Sequence, residues 1–177
     1  MIKRVLIATD GSDHGSKAVS FGSDIAAKYE ADVILVHVLL RSELSENLRH
    51  MAEVENLEAE GGMPLAKAIA NIPVGRFPVD VIFSDRDQET PYSVLQAVGE
   101  HVLRQAEQTA RDHGVKQVHK RVEDGEPVKR ILETIKAENA DLAVVGARGL
   151  SDWKALLLGS VSHKLSHLSP VTCITVR

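Results

Sequence analysis

Apolar residues in this chain fall into two kinds of stretch: short, mostly apolar runs, and longer segments where they recur every three or four positions. Residues 5–8, 31–40, 115–122, 142–145 and 171–176 are of the first kind, the third being weaker and alternating. Runs apolar on both faces suit the strands of a parallel sheet covered by helices on each side. Between them, Ala18, Phe21, Gly22, Ile25 and Tyr29 predict one helix, and Val94, Leu95, Val98, Val102, Leu103, Ala106 and Ala110 a second that stops near Gly114. Val128, Ile131, Leu132 and Ile135 predict a third, with Pro127 suited to an early helical position. Val161, Leu165 and Leu168 predict a short last helix ended by Pro170. Strand and helix alternate along almost the whole chain. The expectation is one doubly wound, Rossmann-like α/β domain over residues 1–177, with a five-stranded parallel sheet in the order 3-2-1-4-5.

One segment breaks the alternation. Pro64, Pro73, Pro78 and Pro91 lie between residues 61 and 91 together with Gly61, Gly62 and Gly75, and proline fixes φ and removes a donor, so no single helix spans them. Before it, residues 42–60 are Glu-rich with Leu44, Leu48, Met51 and Leu57 on a helical stripe; within it, residues 79–83 suit a short extra strand. Residues 61–90 are read as an insertion, either a lid or partner-binding arm or an exposed excursion without a role.

Composition narrows the function classes. Aromatics make up only 3% of the 177 residues, so the core rests on Val, Ile, Leu and Ala, and the stacking platforms of single-stranded nucleic-acid binders are scarce. A net charge of -4 gives no electrostatic reason for a polyanion partner, so no nucleic acid is expected. The single cysteine, Cys173, excludes an internal disulfide and lies in an apolar run, where a free thiol packs as a small hydrophobe. The opening run reaches Asp10 too soon for a signal peptide, and no run approaches bilayer length. The expected location is cytoplasmic, with no membrane partner.

Ligands of open α/β sheets bind beyond the carboxyl ends of strands where the strand order reverses. In the 3-2-1-4-5 order, the segments Ala8-Thr9-Asp10-Gly11-Ser12 and Gly146-Ala147-Arg148-Gly149 face one crevice. Ten positions after Gly149 comes Gly159-Ser160-Val161-Ser162 at the start of the last helix. Glycines let backbone N–H groups approach phosphate oxygens, and a helix N-terminus favours an anion. Ser160 and Ser162 can add hydroxyl groups. The same residues equally suit an ordinary loop with Ser160 as a plain N-cap.

Gly146-x2-Gly149-x9-Gly159-Ser160, following Ala140-Asp141-Leu142-Ala143-Val144-Val145, resembles the nucleotide signature of the ATP-binding branch of the universal stress protein family. Ile7-Ala8-Thr9-Asp10-Gly11-Ser12 and Val33-Ile34-Leu35-Val36-His37-Val38 look like that family's first two strands, so the likeness covers roughly residues 2–60 and 91–177. The resemblance implies bound ATP, with an accompanying Mg²⁺ left open, and a site made of Thr9, Asp10, Val38, Gly146, Arg148, Gly149, Gly159, Ser160, Val161 and Ser162. It implies that Asp10 lies by the ribose, that Val38 contacts adenine through its backbone, and that Gly146, Arg148, Gly149, Gly159, Ser160 and Ser162 line the phosphates. From the residues themselves, Asp10 also suits a turn capping the first helix, Arg148 and Lys154 suit ordinary loop cations, and His37 suits a packed core histidine.

Enzyme signatures are missing. The chain has no Gly-Lys dipeptide, hence no P-loop, and no Gly-x-Gly-x-x-Gly fingerprint. No second carboxylate stands beside Asp10 to hold Mg²⁺ and position water. His163 and His167 are one turn apart without further ligands and read as a solvated or packed face. The leading expectation is therefore a nucleotide-dependent regulatory module in stress response with an unidentified protein partner and slow hydrolysis at most. An ATPase or nucleotidyl-transfer enzyme, or an interaction protein with an empty pocket, are the alternatives. Residues 171–176 form an edge strand free of proline and charge until Arg177, which invites pairing across a two-fold axis unless residues 61–90 cover it. The resemblance also implies a homodimer through this last strand.

Overall fold

The computed structural model describes residues 1–39, 92–149 and 159–177. The helical stripe at 42–60, the insertion at 61–90 with its extra strand, and Lys154 lie outside the described residues. The described elements are β1 (Arg4–Ala8), α1 (Asp13–Tyr29), β2 (Asp32–Leu39), α2 (Tyr92–Asp112), β3 (Val118–Asp124), α3 (Pro127–Ala137), β4 (Leu142–Gly146), α4 (Ser160–Leu168) and β5 (Thr172–Val176). All five strands are parallel, in the order β3-β2-β1-β4-β5 that the alternation predicts.

Period-two alternation divides the core between the two faces of the sheet. Val5 and Ile7 of β1, Val33 and Leu35 of β2 and Val144 of β4 pack with α1 and α2. Leu6, Ile34, Val36, Ala143 and Val145 pack with α3 and α4 on the other side. Among the described residues, no helix is long and apolar enough to cross a membrane.

Three helices end the same way. The N–H groups of Ala31, Val115 and Ala140 reach back to the carbonyls of Ala26, Ala110 and Ile135, while Glu30, Gly114 and Asn139 hold positive φ. This is the Schellman closure, whose second residue is commonly apolar and packs back on the helix. It corrects the expected third strand. Val115 is buried because it closes α2, so β3 begins only at Val118 and runs on to Asp124.

The two sheet edges differ in chemistry. β3 carries His119, Lys120 and Arg121 on exposed positions, with Lys120 paired to Glu107 at 2.5 Å and Arg121 paired to Glu138. Charges on an edge oppose pairing with another strand. β5, Thr-Cys-Ile-Thr-Val, carries none.

Ser23, midway along α1, is fully buried, and its hydroxyl has no hydrogen-bond partner among the described residues. An unpaired buried hydroxyl bears its full desolvation cost, and alanine is the better helix former. Ser23→Ala is therefore expected to stabilise the protein by about 1 kcal/mol; a lower urea midpoint in the variant would contradict this account.

Candidate functional site

β1 and β4 are neighbours, but the chain leaves β1 into α1 on one face and returns from β4 into α4 on the other. Their carboxyl ends therefore splay apart and open a cleft. Ala8, Thr9, Asp10 and Gly15 line it from the β1–α1 side, and Val145, Gly146, Arg148 and Gly149 from β4. Gly159, Ser160, Val161 and Ser162 line it from α4, while Val36 and Val38 of β2 with Pro127 and Ile131 of α3 make an aliphatic wall. All ten residues singled out from the sequence face this cleft.

The β1–α1 turn is held by side chains. Asp10 Oδ1 accepts from the Ser12 N–H at 3.0 Å and the Ser12 hydroxyl at 2.6 Å. Ser12 Oγ in turn accepts from the Gly15 N–H at 3.1 Å and is the N-cap of α1. Asp10 thus orients the cap rather than providing it.

Glycine at 146 answers to packing. A Cβ there would lie 2.7 Å from the backbone carbon of His14, so a side chain would push the first turn of α1 off the end of β4. At Gly149 a Cβ would lie 2.5 Å from Asp10 Oδ2. The Asp10 carboxylate and the loop after β4 therefore meet across the cleft.

The loop leaving β4 is pinched at its base. The Ala147 carbonyl accepts from the Gly159 N–H at 2.7 Å and from Ser162 Oγ at 2.9 Å, and Ser162 Oγ also lies 3.0 Å from the Gly159 carbonyl. The Ser162 hydroxyl is thereby committed to holding the loop, whereas Ser160 is exposed at the helix start. Arg148 is exposed at the rim.

Three helices, α1, α3 and α4, contribute first-turn residues to the described lining of this cleft, and their caps differ. Ser12 caps α1; Glu126 caps α3, accepting from the Lys129 N–H at 2.6 Å, with Pro127 contributing no donor. The N-cap of α4 is Gly159, which has no side chain to occupy the first-turn N–H groups. These donors and the positive end of the helix dipole suit an anion. Among the described residues, no three His, Cys, Asp or Glu side chains group as a metal would require.

His37 is a buried histidine, as its place inside a strand suggests, but it also touches the site. Its Nδ1 lies 3.0 Å from the Thr9 carbonyl, and since a carbonyl only accepts, Nδ1 carries the proton. Sequence reasoning missed this link, and it missed Pro127 and Ile131 because their helical stripe reads simply as core. No pattern in the sequence sets them apart from the rest of that stripe; their place beside Val36 and Val38 does.

Comparison with known proteins agrees with this architecture. The model of the universal stress protein family matches residues 1–177. The universal stress protein YxiE of Bacillus subtilis is 29% identical over 177 residues, covering 100% of both chains. A universal stress protein solved in complex with cAMP superposes with a TM-score of 0.62 at 25% identity, covering 99% of this chain and 97% of the other. One from Archaeoglobus fulgidus, solved in complex with dAMP, superposes at 0.59 with 16% identity over 100% and 98%, a likeness of fold.

Burial lowers the pKa of His37 below 6.5, outweighing the opposing effects of the Thr9 carbonyl and Asp10. The folded state thus holds the imidazole neutral, while the unfolded chain takes up a proton below about pH 6.5. The stability this contributes is complete above that pH and is lost as pH falls toward the depressed folded value. Each proton taken up on unfolding steepens the loss by about 1.4 kcal/mol per pH unit. Denaturation between pH 7.5 and 5 is expected to show a steeper loss in the wild type than in His37→Asn; equal slopes would refute it.

Proposed function

This chain belongs to the universal stress protein family, and from that premise we propose that its cleft binds an adenine nucleotide, in the first place ATP. The protein then serves as a cytoplasmic regulatory module that works as a homodimer. The observation that carries the nucleotide reading is the contrast in caps: of the three helices whose described residues line the cleft, α4 alone is capped by a residue without a side chain. Phosphates lie over Gly146, Gly149 and the first turn of α4, with Arg148 at hand to neutralise charge. The base lies against Val36, Val38, Pro127 and Ile131, and the ribose by Asp10. The similar protein that carries cAMP supports an adenine nucleotide as the ligand class. Asp10 is the one carboxylate among the described lining residues, and it already shapes the β1–α1 turn. Efficient phosphoryl transfer needs groups that hold metal and position water, so binding with slow hydrolysis at most is the activity this cleft suits.

Gly149→Val puts a branched side chain against Asp10 where a phosphate must approach. A calorimetric titration with ATP is expected to show at least a tenfold loss of affinity, about 1.4 kcal/mol, in a variant with unchanged circular dichroism. Unchanged affinity, or a wild type that neither binds ATP nor releases an adenine nucleotide on denaturation, sinks the proposal.

The dimer reading rests on β5. Ile174 and Val176 on one face and Cys173 on the other are only partly buried, and Phe21 of α1 and Leu168 of α4 are 45% and 59% exposed. The Val176 carbonyl accepts from the Ala147 N–H, so Thr172, Ile174 and Val176 direct their main chain to β4. By alternation, Cys173 and Thr175 direct theirs outward. Thr175→Pro thus removes an outward donor without taking one from the sheet. Light scattering at micromolar concentration is expected to give a dimer mass for the wild type and at least tenfold weaker association for the variant. A monomer mass for the wild type would rule this dimer out.

A further inference from the structure

The β1–β2 ladder ends in an irregular way. Its last paired residues are Ala8 and Val36, and the Thr9 N–H donates to the Val36 carbonyl at 3.0 Å. A parallel ladder continued by one step would next join the Val38 N–H to the Thr9 carbonyl. That carbonyl instead receives Nδ1 of His37, at 3.0 Å. The imidazole takes the place of the missing rung, and β1 turns away into the Asp10 turn. Val38 remains paired on its other side, with Glu123 of β3 in register. Its own N–H and C=O, which alternate with those of His37, face the side that β1 has vacated, and that side is the cleft.

The ring is also fixed from behind. A Cβ on Gly99 of α2 would lie 2.9 Å from His37 Cδ2 and 3.1 Å from a methyl of Leu39. Only glycine lets α2 come this close, so the helix backs the ring while the ring holds Thr9.

We infer that His37 is a positioning residue: by occupying the Thr9 carbonyl it keeps the Val38 main chain unpaired on the cleft side and available to the hydrogen-bonding edge of a ligand base. The second half of this inference rests on the nucleotide reading above; the first half concerns the ladder alone.

The test separates the two. In the nucleotide-free protein, amide exchange followed by NMR is expected to show a weakly protected Val38 N–H. In His37→Leu, which cannot donate, the ladder closes by one rung and Val38 exchange slows at least tenfold. His37→Asn places an amide N–H near the Nδ1 position and restores wild-type exchange. A variant that merely loosens the fold would speed Val38 exchange, so the direction is diagnostic. Should His37→Leu fail to fold, Gly99→Ala displaces the same ring and is expected to slow Val38 exchange likewise. Unchanged or faster exchange at Val38 in the folded variant, or His37→Asn behaving as His37→Leu, overturns the inference. With ligands, His37→Leu is expected to weaken ATP at least tenfold while leaving binding of inorganic triphosphate, which lacks a base, within threefold. An equal loss for both would overturn the role in base recognition. A wild type that binds neither, with the exchange pattern intact, would overturn the nucleotide reading and spare the ladder.

Discussion

The constraint on which this fold depends is that β1 is buried on both faces. Val5, Leu6 and Ile7 have no accessible surface, and they alternate between the α1–α2 core and the α3–α4 core. A strand so enclosed can meet a ligand only beyond its end. The chain then has to leave β1 and β4, which lie side by side, toward opposite faces, and the gap this creates is the cleft. Several residues of the cleft wall accordingly lie at or just past a strand end: Thr9 and Asp10 after β1, Val38 near the end of β2, Arg148 and Gly149 after β4.

Close approach of backbones holds that gap to its shape. Gly146 brings the end of β4 within contact of His14 at the start of α1, and Gly99 brings α2 against His37. One contact holds the end of β4 against the start of α1, and the other backs the ring that reaches the Thr9 carbonyl. Packing and site chemistry are therefore hard to separate here. The glycine at 146 is demanded by His14 whether or not a phosphate lies near it, and Asp10 is demanded by Ser12 before any ribose is considered.

This double duty explains what the sequence discloses and what it hides. Strands and helices were legible because the apolar runs of β1, β2 and β4 are largely buried on both sides, and burial is what the pattern records. The third strand was misjudged at its start because Val115 is apolar for a local reason, the closure of α2 over Gly114, and periodicity does not distinguish a helix closure from a strand. The glycine and serine positions of the cleft were legible as a spacing. Their separate tasks were not, since only coordinates reveal that the Ser162 hydroxyl turns to Ala147 while Ser160 stays exposed. His37 and Ile131 were hidden most completely, because in one dimension a residue that backs or walls a site looks like any other core residue.

The main-chain polar groups draw these strands together. Buried N–H and C=O groups require partners, and most of this backbone finds them within the sheet and the helices. Three of the places left without such partners among the described residues bear on function: Val38 on its cleft side, the first turn of α4, and the outward side of β5 at Cys173 and Thr175. The first two share one cleft, where an aliphatic wall lies beside an open helix end, an arrangement matched to a flat ring joined to an anion. The third carries no charge, while the opposite edge at β3 is guarded by Lys120 and Arg121. Had both edges been equally bare, the sheet could extend without limit. With one edge charged and one bare, the proposed pairing would end at two copies. The same accounting of backbone donors and acceptors thus limits the proposed assembly to a dimer and directs the proposed ligand to the far end of the strands.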